Sequence, residues 1–229
     1  MILAGGFGTR LQSALPNVPK ALAPVGNLPF LYIQLKHWID QGLKSFTFLL
    51  HHQADQIINF LLAERDGLLN NCKVEWLIEP IPLGTGGAVA YAIEQLQIRD
   101  GFLVTNADTW LGGGVGNVLQ SNAPNIGVIW CDDASRYGRI IFDAKYIVTE
   151  FLEKKEQESG WINSGLYHLH PTFFSKWSSS PFSLELELFP ELIREGKLKA
   201  VNLAVSFFDI GVPNDYYKFC SFIQKKLRE

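Results

Sequence analysis

A glycine-rich stretch at the front of the chain, Gly5-Gly6-Phe7-Gly8-Thr9-Arg10, limits the fold more than any other feature. It stands directly behind a short apolar run, Ile2-Leu3-Ala4, and is followed nine residues after Arg10 by the pair Pro19-Lys20. Glycine adopts φ > 0 without steric cost, so such a loop can bring backbone N–H groups close to anionic oxygens. Arg10 and Lys20 add fixed positive charge at the same place. The stretch therefore reads as a phosphate-handling loop. Spacing excludes two common kinds. A Walker A loop needs Gly-Lys followed by Ser or Thr, and the only Gly-Lys, Gly196-Lys197, is followed by Leu198. The dinucleotide fingerprint needs a third glycine, and Gly6-Phe7-Gly8 is followed instead by Thr9, Arg10 and Leu11.

Behind the loop, helical and strand-like patterns alternate. Leu31, Leu35, Trp38, Ile39 and Gly42 follow helical spacing, and Phe46 to Leu50 is a continuous apolar run of strand length. Ile57, Ile58, Leu61 and Leu62 give a second helical stripe. A strand over 74–78, a helix over 88–96 and a buried strand over 102–105 continue the alternation. The expected class is α/β, with a Rossmann-like, mixed and mostly parallel central sheet, helices on both faces and ligands at the carboxyl ends of the strands. After Asp108 the texture changes. Gly112-Gly113-Gly114 interrupts, and strand-like runs at 126–131, 139–142, 146–152 and 162–169 suggest an antiparallel or mixed addition. A helix over 184–193, a strand over 201–208 and a helix from Pro213, with Tyr216, Phe219, Cys220, Ile223 and Leu227 as its apolar stripe, complete the pattern.

Composition removes several function classes. With 229 residues, 47% of them hydrophobic, the chain suffices for a single domain with a substantial core. Its formal charge is −3 and it has no basic run, so a nucleic-acid partner is not expected. Cys72, Cys131 and Cys220 form no Cys-x-x-Cys unit and read as buried thiols of a reducing compartment. No signal sequence and no membrane-length apolar run is found, which predicts a cytoplasmic protein without a membrane partner.

Two aspartates end strand-like runs: Asp108 in Thr105-Asn106-Ala107-Asp108 and Asp209 in Asp209-Ile210-Gly211-Val212-Pro213. Alone, either could simply cap the following turn or helix. Glu79-Pro80-Ile81-Pro82-Leu83-Gly84-Thr85-Gly86-Gly87-Ala88 places glycines before a helix. Two prolines stand between strand and glycines, the wrong approach for a dinucleotide turn. Phe151-Leu152-Glu153-Lys154, Tyr137-Gly138 and Asn163-Ser164-Gly165 are further polar clusters. His168 and His170 alternate, as a metal pair on a strand would, but no third ligand is in view. His51 and His52 end a strand with no partner evident.

Taken together these segments resemble the sugar-1-phosphate nucleotidylyltransferases, whose signature is a hydrophobic strand, Gly-Gly-x-Gly-Thr-Arg-Leu and a Pro-Lys pair. Leu3 to Leu11 with Pro19 and Lys20 fits it at every position. The motifs run from residue 3 to residue 217, and the resemblance implies roles for them. Gly5, Gly6, Gly8, Thr9, Arg10 and Lys20 would hold the triphosphate, with Glu79, Pro82, Gly84 and Thr85 on the base and ribose and Leu3, Ala4, Asn106 and Asp108 completing the nucleotide site. Asp108 and Asp209 would hold Mg²⁺. Tyr137, Gly138, Glu153, Lys154, Asn163 and Asp209 would meet the sugar phosphate, and Arg10, Lys20, Asp108, Lys154 and Asp209 would carry catalysis. Residues 1–110 would mainly bind nucleotide and 111–229 mainly sugar phosphate. Two departures stand out: Ala107 replaces the usual glycine, and Lys155 replaces the proline of a Glu-Lys-Pro motif. The strand before the loop is also short for a central strand.

Within the family the chain is most similar to D-glycero-D-manno-heptose 1-phosphate guanylyltransferases, through Ala23-Pro24-Val25, Pro82 to Ala88, Arg136-Tyr137-Gly138 and Asp209 to Tyr216. That implies GTP and a heptose 1-phosphate as substrates, GDP-heptose for lipopolysaccharide, capsule or S-layer glycan as product, and admits a homo-oligomer. Glu79 points to the same base. A carboxylate is acceptor-only, and guanine presents two adjacent donors where uracil presents one between two acceptors. Mannose 1-phosphate with GTP, N-acetylmuramic acid 1-phosphate with UTP, and a non-catalytic sugar-nucleotide sensor stay open as alternatives.

Overall fold

The computed structural model describes residues 1–11, 15–152 and 158–226. The chain begins with β1 (Ile2–Leu3), β2 (Pro24–Val25), β3 (Leu28–Pro29), α1 (Phe30–Asp40), β4 (Ser45–Leu50), α2 (Ala54–Ala63) and β5 (Lys73–Ile78). It continues through α3 (Gly84–Leu96), β6 (Phe102–Asn106), β7 (Thr109–Leu111), α4 (Val115–Gln120), β8 (Asn125–Cys131), β9 (Arg139–Phe142), β10 (Val148–Leu152) and β11 (Gly160–Leu169). A π-helical turn, Leu184–Leu188, runs into α5 (Phe189–Arg194), and β12 (Lys199–Asn202), β13 (Phe207–Asp209) and α6 (Pro213–Lys226) follow. The expected class is the one found: a mixed central sheet, part parallel and part antiparallel, with helices packed on it.

Two compact units interleave along the sequence. One gathers Ile2–Ile81, Asn106–Leu111 and Ser206–Glu229 and holds the phosphate loop. Its strands β1, β4 and β5 are parallel, with Leu3 opposite Leu49 and Leu50 opposite Ile78. The apolar run of β4 is buried from Phe46 to Leu50, as expected of a strand flanked on both sides. The stripe on α1 buries Phe30, Leu31, Leu35 and Trp38, and α2 buries Ala54, Ile57 and Leu61. A second apolar cluster joins Leu11, Ala23, Val25, Phe30, Trp110, Ile210, Tyr216, Phe219 and Ile223. Through it α6 seats the β7–β13 ribbon. The Tyr216 hydroxyl donates to the Pro24 carbonyl and ties α6 to the segment that follows Lys20.

The other unit contains Pro82–Thr105 and Gly112–Val205. Its long strand β11 is antiparallel to β6 and β8 and meets β9 at Ile162 and Arg139. β12 lies parallel to β8, and β9 pairs with β10.

Several elements depart from the pattern read in the sequence. The expected strand over 201–208 is two strands, β12 and β13, because they take different partners, β8 and β7. The glycine triplet hides the short β7 and α4; Gly114 starts α4 at φ 94, where a Cβ would stand 2.9 Å from Leu203. α3 begins at Gly84 rather than Ala88. Its glycines are poor helix formers, but the Phe182 carbonyl accepts the N–H groups of Gly86 and Gly87 at 3.0 and 3.2 Å and fixes the first turn. Cys72, Cys131 and Cys220 are free and half-buried rather than buried, being placed at a turn, at a strand end and on the rim of α6. Leu227, assigned to the α6 stripe, lies outside the described residues.

Candidate active site

In the phosphate-loop unit the chain leaves β1 directly into the glycines. The Ala4 N–H donates to Leu49 O at 2.9 Å and Leu3 O accepts from Ala107 N–H at 3.0 Å, so the loop's root is held from both sides. The Ala107 methyl is buried in this packing. At Gly5 a Cβ would lie 2.8 Å from Glu79 Oε1, which explains the glycine by the approach of a carboxylate. Glu79 itself is 7% exposed, its N–H donates to Leu50 O at 2.8 Å, and its carbonyl meets His51 Nδ1 at 3.2 Å. Gly8 has φ 68, and its Leu11-directed carbonyl closes the turn that presents Thr9 and Arg10. Gly6, Phe7, Thr9 and Arg10 are exposed.

Two distant aspartates meet on a two-stranded ribbon. Asp108 precedes β7, Asp209 ends β13, and the register sets Asp209 opposite Thr109. The Asp108 carbonyl accepts from Ile210 N–H at 3.0 Å, locking the two strand ends together. Lys20 Nζ reaches Asp108 Oδ2 at 3.1 Å, with side chains only 18% and 27% exposed. Asp209 Oδ1 accepts the Gly211 N–H at 2.8 Å. A Cβ on Gly211 would stand 2.7 Å from Asp209 Oδ1, 3.3 Å from Lys20 Nζ and 3.5 Å from Asp108 Oδ2, so the three groups ring a single point.

Burial, then the like charge of Asp108, holds the Asp209 carboxyl above the ordinary carboxylate range, against the opposing pull of the Gly211 N–H, Arg10 and Lys20. Two hard oxygen donors around a cradle that a Cβ would fill suit Mg²⁺, which takes one or two carboxylates and completes its shell with water and phosphate oxygens. No group of three or more metal-ligating side chains occurs among the described residues. His168 Nδ1 is engaged with Ser121 O at 3.0 Å and His170 Nδ1 with Thr172 at 2.9 Å, not with a metal set.

A residue with no motif behind it supports Asp108. Gln34 on α1 is 1% exposed, and its Nε2 donates to Asn106 O at 3.2 Å and Thr109 O at 2.6 Å, clamping both ends of the turn that carries the aspartate. One signal for it stands in the sequence: a glutamine on the apolar stripe of a helix, between Leu31 and Leu35.

In the other unit, Gly84 has φ 73 and a Cβ there would lie 2.6 Å from Phe182 O; a Cβ on Gly86 would collide with the Phe182 ring. These glycines therefore serve packing against Phe182, whatever else approaches them. Pro82 and Gly84 are exposed. Thr85 Oγ1 donates to Glu185 at 2.7 Å and accepts from Leu184 N–H at 2.9 Å. Asn163 is half-buried on β11, where its Nδ2 donates to Tyr167 Oη at 2.8 Å and its Oδ1 accepts from Gly165 N–H at 2.8 Å. The Tyr137 N–H donates to Ala134 O at 2.8 Å, Arg136 Nη2 donates to the Tyr137 hydroxyl at 2.6 Å, and a Cβ on Gly138 would meet Leu152 O at 3.1 Å. Glu153 and Lys154 lie outside the described residues. Glu185 and Tyr167, which join Thr85 to Asn163 by hydrogen bonds, were not singled out in the sequence; Glu185 is hidden in the alternating run Leu184-Glu185-Leu186-Glu187-Leu188.

A parallel strand opening into a glycine loop, with a lysine and two aspartates closing on one point, defines an α/β domain built to handle nucleotide phosphates. The chain belongs to the nucleotidyl transferase family, whose model matches residues 1–226. It is 32% identical to D-glycero-alpha-D-manno-heptose 1-phosphate guanylyltransferase of Campylobacter jejuni, over 96% of this chain and 97% of the relative. To the catalytic subunit beta of mannose-1-phosphate guanylyltransferase from Drosophila melanogaster it is 30% identical over 94% of its length, spanning 60% of that longer protein. The crystal structure of HddC from Yersinia pseudotuberculosis superposes with a TM-score of 0.86 at 36% identity, covering 97% of both chains. The same protein complexed with GMP-PN matches at 0.83 and 35%, again over 97% of each. Among the described residues no helix is long and apolar enough to cross a membrane.

Proposed function

We propose that this chain transfers a guanylyl group from GTP to a heptose 1-phosphate, releasing pyrophosphate and forming GDP-heptose. The observation that carries this reading is the convergence of Lys20, Asp108 and Asp209 on one point beside the phosphate-loop strand. Bringing a sugar phosphate against a triphosphate sets anion against anion, and fixed cations offset that repulsion. Arg10 and Lys20 orient the triphosphate and stabilise charge as it develops on the leaving pyrophosphate. An oxygen of the sugar phosphate attacks the α-phosphorus in line, and the bond to the β-phosphate oxygen breaks, with no covalent enzyme intermediate. Asp108 and Asp209 would hold Mg²⁺, which when bound neutralises phosphate oxygens and fixes their geometry. Glu79 accepts from the two donors on the guanine edge. Lys154, with Glu153, takes the sugar phosphate, and Tyr137, Gly138 and Asn163 border the sugar.

The heptose relative matches this chain over 97% of its own length, and HddC was crystallised complexed with GMP-PN. Mannose 1-phosphate is the second reading, supported by relatives that share 30% identity. Pyrophosphate release measured over a matrix of nucleoside triphosphates and sugar 1-phosphates decides between them: fastest turnover with GTP and a heptose 1-phosphate is expected, and fastest turnover with another pair replaces it. Glu79→Gln should erode the preference for GTP. An unchanged nucleotide ranking would remove Glu79 from base reading.

A further inference from the structure

Glu185 gathers three hydroxyl groups on one carboxylate. Its Oε2 accepts from Thr85 Oγ1 at 2.7 Å and from Ser183 Oγ at 2.9 Å, and its Oε1 accepts from the Tyr167 hydroxyl at 3.3 Å. A carboxylate only accepts, so all three hydroxyl protons are committed to it, and each hydroxyl oxygen is left to accept from elsewhere. That is how the surrounding donors are arranged. Thr85 Oγ1 takes the Leu184 N–H, Ser183 Oγ takes the N–H groups of Glu185 and Leu186 at 3.2 Å, and the Tyr167 oxygen takes Asn163 Nδ2.

The direction of this chain has a consequence at its far end. A carboxamide can present either its oxygen or its nitrogen to a given neighbour, and the hydrogen-bond network decides which. Tyr167 cannot donate to Asn163, because its proton is held by Glu185; it can only accept, which selects the nitrogen. Gly165 N–H then claims the Asn163 oxygen. One Nδ2 proton and one Oδ1 lone pair stay available, a donor beside an acceptor, which is the pattern that reads neighbouring sugar hydroxyls. We propose that Glu185 is a positioning residue that sets the polarity of the Asn163 carboxamide through Tyr167, and thereby its discrimination of the sugar 1-phosphate. Tyr167 suits the relay: it is 1% exposed, and burial first and the Glu185 charge second hold its phenol well above the ordinary range, so it stays a donor throughout the working pH range. Phe189 packs edge-on to the Tyr167 ring at 5.0 Å and keeps it in line.

The inference rests on the reading of Asn163 as a sugar contact. Glu185→Gln keeps the shape but brings an amide that can donate to Tyr167 and so release the polarity of the chain. It should raise KM for the sugar 1-phosphate about tenfold with kcat changed less than about threefold, and move the GTP KM less, through Thr85, which loses the same partner. Tyr167→Phe should do the same, and the double variant should be no worse than either single one, since both break one chain. Effects that multiply in the double variant, or a GTP KM that moves as far as the sugar KM, would overturn the proposal. A second measurement does not depend on turnover. In protein carrying isotope-labelled asparagine, the two Asn163 amide protons should be separately resolved and slow to exchange in the wild type and should lose that protection in Glu185→Gln. Unchanged amide signals sink the relay even if the enzyme is active; absent turnover in the wild type with protection lost in the variant sinks only the proposed reaction.

Discussion

At the scale of single residues, Gly211 is the clearest case of a position defined by what surrounds it. Its backbone carries no positive φ that would demand glycine, so the requirement is spatial: two carboxylates and an ammonium close on the space where a Cβ would be. Gly211→Ala should therefore leave the fold intact and cut turnover by about 10²-fold, the scale of a misplaced catalytic group; a variant with wild-type kcat would show that the cradle is not where the reaction occurs. Asp209 illustrates the opposite balance, between stability and use. Because its folded-state carboxyl titrates above the ordinary value of 3.8, the native state binds that proton more tightly than the unfolded chain does. Stability is lost as pH rises through that window, and Asp209→Asn, which has no proton to lose, should escape the loss. In metal-free protein its denaturant midpoint should exceed the wild type's at neutral pH and converge with it near pH 4, while activity is lost. Equal midpoints at both pH values would contradict the assigned cause.

Among the elements, α1 does two jobs with one face. Phe30, Leu31, Leu35 and Trp38 bury it, and Gln34 within that face reaches the carbonyls on both sides of the Asp108 turn. Gln34→Leu should preserve the packing, cost no more than about 3 kcal/mol in stability, and lower kcat/KM by between about tenfold and 10²-fold. A loss of stability without loss of kcat/KM would make Gln34 a structural residue only. The elements also show what could be read ahead of the structure. The helices and strands from Phe30 to Thr105 were legible because each has its own uninterrupted apolar period. Asp108 and Asp209, which meet on the β7–β13 ribbon, were legible as strand-end carboxylates because each stands at the end of such a run. β7 was not, being three residues after a turn, and neither was the break between β12 and β13, since strand propensity is continuous there while the partners differ. Gln34 and Glu185 escaped for a related reason: Gln34 bonds to groups 72 and 75 residues away, and Glu185 to Thr85, 100 residues away, and to Tyr167, 18 residues away, which local pattern does not encode.

For the molecule as a whole, the charge of −3 opposes the anionic substrates of the proposed reaction, so on that reading attraction comes from local cations such as Arg10 and Lys20 rather than from the overall field. Rates should then lack the steep ionic-strength dependence of electrostatically steered association. A tenfold rise in salt concentration is expected to lower kcat/KM by less than about tenfold; a larger fall would point to a long-range field that the sequence does not provide. The β7–β13 ribbon also has a meaning in time. During synthesis at roughly 5–20 residues per second, Asp108 emerges about 5–20 s before Asp209. Until then the growing chain owns its phosphate loop and one carboxylate, with Lys20 able to neutralise the latter, but lacks the strand that completes the pair. A chain that ends short of β13 also lacks α6, and with it Tyr216, Phe219 and Ile223 of the apolar cluster that seats the ribbon, so the second carboxylate and its support arrive together.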